Sequence, residues 1–149
     1  MKSRGELRMD PGALLMAGAG GQIEIVVPYT EWEVTAAVLQ RAVALTAGLN
    51  ARISLIAVHT VPYPSTFGCP ASVHAYLVEQ LVDLAGRCAL PVNAQVVLAR
   101  GLWDGFRHAV PAESMVLLGS RKRFFRTYEE RLARMLASHG HKVSLIHID

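Results

Sequence analysis

The hydrophobic pattern of the chain alternates between two periods. Ile23-Glu24-Ile25-Val26-Val27 is a short β-branched run ended by Pro28, which cannot donate to a sheet ladder, so it predicts a strand that stops at a loop. Thr30-Glu31-Trp32-Glu33 then has the form of a capping box, and Val34, Ala37, Val38, Ala42 and Leu45 recur at helical spacing. Gly48 stands where a left-handed residue would end that helix. Ile53-Ser54-Leu55-Ile56-Ala57-Val58 is almost continuously apolar, as a parallel strand covered on both faces would be. A loop over 61–70, with three prolines and one glycine, delays the next helix, whose stripe is Val73, Leu77, Leu81, Leu84 and Cys88. Gln95-Val96-Val97-Leu98 predicts a third strand, 103–110 a short helical turn, and Met115-Val116-Leu117-Leu118 a fourth strand ending on Gly119-Ser120. A second capping box, Thr127-Tyr128-Glu129-Glu130, opens the last helix, with Leu132, Met135 and Leu136 inward and Gly140 at its end. Residues 143–147 close the chain as strand five. Strands alternating with helices predict an α/β domain: an open five-stranded parallel sheet with helices on both faces, Rossmann-like.

Composition narrows the picture without changing it. At 149 residues and 52% hydrophobic content, the chain has material for one core and no room for a second domain. Residues 1–22 hold five glycines and a proline without a sustained period, and read as a flexible N-terminal arm ahead of a domain over 23–149. The apolar stretch 13–21 is too short and glycine-diluted for a membrane span, and Glu6, Asp10 and Pro11 break the form of a secretory signal. Cys69 and Cys88 have no metal-type spacing, which fits a reducing compartment, and the expectation is a soluble cytoplasmic protein. The net charge of +3 is unevenly placed: between Arg121 and Arg134 six basic residues stand against Glu129 and Glu130, so that segment carries +4 and everything else sums to −1.

Ligands in open parallel sheets bind beyond the carboxyl ends of the strands, where the strand order reverses. The basic run Arg121-Lys122-Arg123-Phe124-Phe125-Arg126 follows strand four and precedes a helix N-terminus, an arrangement that suits a phosphate or carboxylate. Its other reading is a solvated loop with its aromatics packed down, and the same residues would serve as a patch for an acidic partner or an anionic surface. Phe124 and Phe125 between basic residues would also suit single-stranded nucleic acid, but one six-residue stretch is thin support and a nucleic-acid partner is not expected.

Catalytic and metal chemistry find little footing. The histidines (His59, His74, His108, His139, His141 and His147) are scattered, and no metal site is expected. Ser120 follows a strand but lacks the Gly-x-Ser-x-Gly elbow, since Leu118 and Lys122 occupy the flanking positions. Glu31, Glu33, Glu129 and Glu130 are explained by helix N-termini, where negative charge is favoured. The chain therefore reads as a binding or regulatory module rather than an enzyme, with nucleotide hydrolysis or phosphoryl transfer the enzymatic alternative.

The strand at 23–27 leading into a helix, Leu55-Ile56-Ala57-Val58-His59, Val116-Leu117-Leu118-Gly119-Ser120, and the last helix followed by His141-Lys142-Val143-Ser144-Leu145-Ile146 together resemble the universal stress protein family over 23–149. The resemblance implies strand order 3-2-1-4-5, the adenine nucleotide alpha hydrolase-like arrangement, with strands one and four side by side. Many members hold ATP there, using an acidic residue after strand one and a glycine-rich loop after strand four. Here Pro28-Tyr29 replaces the acidic residue, Lys122 stands at the second glycine, and Tyr128-Glu129-Glu130 lies near the final Gly-Ser. The resemblance thus implies a divergent member without the loop. Its candidate cleft is Tyr29, Thr30, Thr60, Gly119 and Ser120, joined by Arg121, Lys122, Arg126 and Thr127, for a small anionic ligand such as ATP or another adenine nucleotide. It also implies a homodimer through the last strand, with Val143, Leu145, Ile146 and His147 at the interface, or a protein-interaction domain that regulates a partner such as a transporter.

Overall fold

A computed structural model describes residues 22–61, 71–121 and 128–148. The expected N-terminal arm, apart from Gln22, and Cys69, Lys122, Arg126 and Thr127 lie outside the described residues. The elements run β1 (Ile23–Pro28), α1 (Trp32–Thr46), β2 (Ala51–Thr60), α2 (Ala71–Gly86), β3 (Val92–Ala99), α3 (Leu102–Ala109), β4 (Met115–Arg121), α4 (Tyr128–Ser138) and β5 (Lys142–Ile148). All five strands are parallel and lie in the order β3-β2-β1-β4-β5. The sheet is therefore the expected one, and its order reverses between β1 and β4.

Strand alternation divides the core into two layers. On one face Ile25 and Val27 of β1, Ile53, Leu55 and Ala57 of β2, and Leu117 of β4 pack against Val34, Val38, Leu39 and Ala42 of α1 and Leu81 and Leu84 of α2. On the other, Val26, Ile56, Val116 and Leu118 meet Phe106 and Val110 around α3 and Leu132 and Leu136 of α4. Helices on both faces explain why the centres of β1, β2 and β4 read as nearly continuous apolar runs. Each such side chain contributes about 1.5–3 kcal/mol when fully removed from water.

Two local expectations need correction. The first helix has no reciprocal capping box: Glu31 is its N-cap, in extended backbone and without a side-chain cap bond, and the Thr30 amide donates to Thr35 Oγ1 at 3.1 Å. Glu33 is drawn away by a cation at the end of β4, described below. β4 runs one residue past its expected end on Gly119-Ser120, to Arg121, and Gly119, Ser120 and Arg121 pair with Ile146, His147 and Ile148 of β5. Ile146, one of four residues expected at a dimer interface, is 6% exposed and packs in the chain's own core. The helix ends are as expected, with Gly48 and Gly140 at φ 81° and 92°, a conformation L-residues with a Cβ rarely adopt. Among the described residues no helix is long and apolar enough to cross a membrane.

Candidate functional site

The mouth of the sheet forms where β1 and β4 separate. Their ladder covers Ile25↔Met115 and Val26↔Val116, whereas β1 stays paired with β2 as far as Pro28↔Ile56. Beyond Pro28 the Tyr29 amide still donates to the Ile56 carbonyl at 2.8 Å, which fixes the start of the loop against β2. The Tyr29 side chain packs on the core layer under α1 and α2. Burial, then the neighbouring Tyr76 and Glu31, raise its pKa above 10.0.

A raised pKa makes the neutral phenol a stabilising group. Its contribution is fully present below the unfolded pKa of about 10 and is lost as pH rises through the higher folded value. The denaturation midpoint of the native chain is therefore expected to fall with rising pH in that range, and more steeply than in Tyr29→Phe. Equal slopes for the two proteins would mean that the phenol does not feel this environment.

Arg121 is the centre of charge at the mouth. Its Nη2 donates to Glu33 Oε1 at 3.0 Å and its Nε to Glu31 Oε1 at 3.4 Å, joining the end of β4 to the first turn of α1. The Arg121 side chain is 30% exposed and that of Glu33 76%, so both pairs are wet and individually weak. The hydrogen bond with Glu33, followed by the charge of Glu31, raises the guanidinium pKa further above its ordinary value. Among the described residues, this one cation facing two carboxylates leaves a formal charge of −1. An anion arriving here must displace carboxylates that Arg121 already holds.

The other predicted residues are distributed less compactly. Gly119 sits within β4 beneath α1: a Cβ there would lie 2.6 Å from both Val34 Cγ1 and Val38 Cγ2. Its lack of a side chain lets the helix approach the sheet, which gives this glycine a packing role. Ser120 is fully buried, with its hydroxyl 3.4 Å from the Arg121 carbonyl, and it shares the face of Val116 and Leu118. Thr60, at the exposed end of β2 and paired with Ala99, points by alternation to that same face, with Val58. Tyr29 and Arg121 thus share the α1 face, and Thr60 and Ser120 the opposite one.

Glu31 and Glu33 are the site residues that sequence reading misses. Their helix-start positions explain them locally, and their partner lies 90 and 88 residues away. Trp32 is similarly tied: the Arg87 guanidinium lies 5.0 Å from its ring centroid and also bonds Asp83 at 3.2 Å. Among the described residues no group of three or more His, Cys, Asp or Glu converges as a metal site would require. Cys88 is a free thiol whose pKa burial pushes up, an environment that does not activate sulfur.

Three solved structures share this architecture. A universal stress protein from Archaeoglobus fulgidus matches with a TM-score of 0.61 at 12% identity, covering 85% of this chain and 93% of that one. A protein of the universal stress protein family from Burkholderia pseudomallei matches at 0.56 and 21% identity, over 83% and 94% of the two chains. A universal stress protein in complex with cAMP matches at 0.50 and 18%, over 84% and 96%. No family model and no curated protein matches the sequence. The chain has the universal stress protein fold.

Proposed function

We propose that this chain is a non-catalytic regulatory module of the stress-protein type that binds a small anion, an adenine nucleotide by preference, at the β1/β4 mouth. The observation that carries the reading is Arg121: a partly exposed guanidinium at the end of β4, at the reversal of strand order, held by exposed carboxylates that a ligand can replace. The fold neighbour in complex with cAMP supports the choice of a nucleotide. Tyr29, on the same face of the sheet as the cation, provides an apolar ring with a polar tip, suited to a base or ribose.

The arrangement predicts opposite effects from two neighbouring substitutions. In calorimetric titrations with AMP, cAMP, ATP and inorganic phosphate, Arg121→Gln is expected to weaken binding on the order of tenfold, the loss of one charge-assisted contact. Glu33→Gln is expected to tighten it roughly twofold to fivefold, because it removes the competing negative charge and leaves Arg121 in place. Absence of binding by all four compounds at millimolar concentration would overturn the small-ligand reading. Weakening by Glu33→Gln would place the carboxylate on the ligand instead of against it.

A further inference from the structure

Exposed apolar surface is concentrated at one end of the sheet. Among the described residues the exposed large hydrophobic side chains are Tyr76, Val78 and Val82 of α2, Leu90 just before β3, and Trp103 at the start of α3. All five belong to the stretch of chain that leads into and out of β3, the edge strand farthest from β5. β3 itself, Val92-Asn93-Ala94-Gln95-Val96-Val97-Leu98-Ala99, has eight residues without a charge or a proline, and β2 pairs with one side of it. Such an edge lacks the features that normally prevent strand addition.

The orientation of α2 determines what lies beside that edge. The helix packs mainly over β3, and its core stripe is Leu77, Leu81 and Leu84. Tyr76 senses Tyr29, and Arg87, just past the helix end, lies over Trp32, so both mark the flank that faces α1. Val78 and Val82 fall on the opposite flank at helical spacing, 37% and 61% exposed, with the small Ala75 and Gly86 in line with them. α2 therefore carries two apolar stripes. One is used by its own core, and the other overhangs the edge of β3 that no described strand pairs.

We propose that this edge is a self-association surface on which a second copy lays its own β3 antiparallel across a two-fold axis normal to the sheet, so that Val78 and Val82 of the two α2 helices pack together. Such an axis keeps like faces together, making one continuous sheet with the α2 helices side by side. Charge favours a second copy: from Ala71 to Trp103, Glu79 and Asp83 balance Arg87 and Arg100, so two such surfaces meet without net repulsion although the whole chain carries +3. Size agrees as well. A strand of eight residues is roughly 27 Å long, and with one helix layer above it the contact strip is on the order of 500 Å² per copy, about 1,000 Å² in all. That is near the lower limit for a specific interface, so the pair is concentration-dependent. At the opposite edge, β5 carries exposed Lys142 and His147, and Ile146 is used internally.

The test is sedimentation velocity on the full chain over a hundredfold concentration range. The native protein is expected to pass from monomer to dimer. Val78→Glu/Val82→Glu, which alters only exposed side chains, is expected to stay monomeric with an unchanged circular dichroism spectrum, while His147→Glu on β5 behaves as native. Amide exchange gives an independent readout: β3 amides are expected to slow with rising concentration and β5 amides to remain unchanged. A native chain that is monomeric throughout, or a dimer lost in His147→Glu and kept in the double valine variant, would overturn the proposal.

Discussion

Phe106→Ala is expected to cost about 3–5 kcal/mol, as full truncation of a buried aromatic generally does. Phe106 has no exposed surface and sits among Val26, Ile56, Val116, Leu118, Leu132 and Leu136. It also carries α3, an eight-residue helix too short to persist on its own. The side chain thus joins three strands to the two helices that cover this face. Against a domain stability of about 5–15 kcal/mol, the loss is a large fraction of the total. Urea denaturation followed by circular dichroism measures it, and a change under about 1 kcal/mol would show that the cavity collapses or that α3 is not docked as described.

The second large effect is expected at Gly119. Alanine there places a methyl group 2.6 Å from two valine side chains on α1, and overpacking of this kind costs about 1–3 kcal/mol, with valine costing more. Val38→Ala should recover part of the loss, so the two substitutions together are expected to be less destabilising than the sum of each alone. Additive behaviour would refute the packing role. Unaltered stability in Gly119→Ala, combined with lost nucleotide binding, would restore the glycine to a ligand loop.

Most of the architecture is legible in the sequence because buried parallel strands and amphipathic helices write their periods directly. Ile53 to Ala57 could be placed on a doubly covered strand from composition alone, and their burial agrees. The site is less legible, and each difference has a physical reason. Gly119 looks the same in one dimension whether its missing Cβ admits a phosphate or a helix, and only the position of Val34 and Val38 decides. Thr30 and Glu33 have capping-box spacing, but Thr35 and Arg121 compete for the same groups. Arg121 could be read as an unneutralised anion clamp because nothing in local sequence reports carboxylates across the fold. The exposed valines of α2 are hard to read because the helix is apolar beyond its core stripe, and only the docked helix separates the two flanks.

The short ladder between β1 and β4 has a consequence for how the chain folds. β1, β2 and β3 are neighbours in sequence as well as in the sheet, and so are β4 and β5. Each group can assemble from its own crossovers with modest loop closure. The seam between them joins Ile25 to Met115 through two residue pairs, and the whole of α1, α2, β2, β3 and α3 intervenes. Its closure entropy is the largest in the molecule, while its ladder contributes least. Docking of the two groups is thus the step that closes the longest loop of the sheet, and the seam that shapes the mouth is expected to be the last part of the sheet to form.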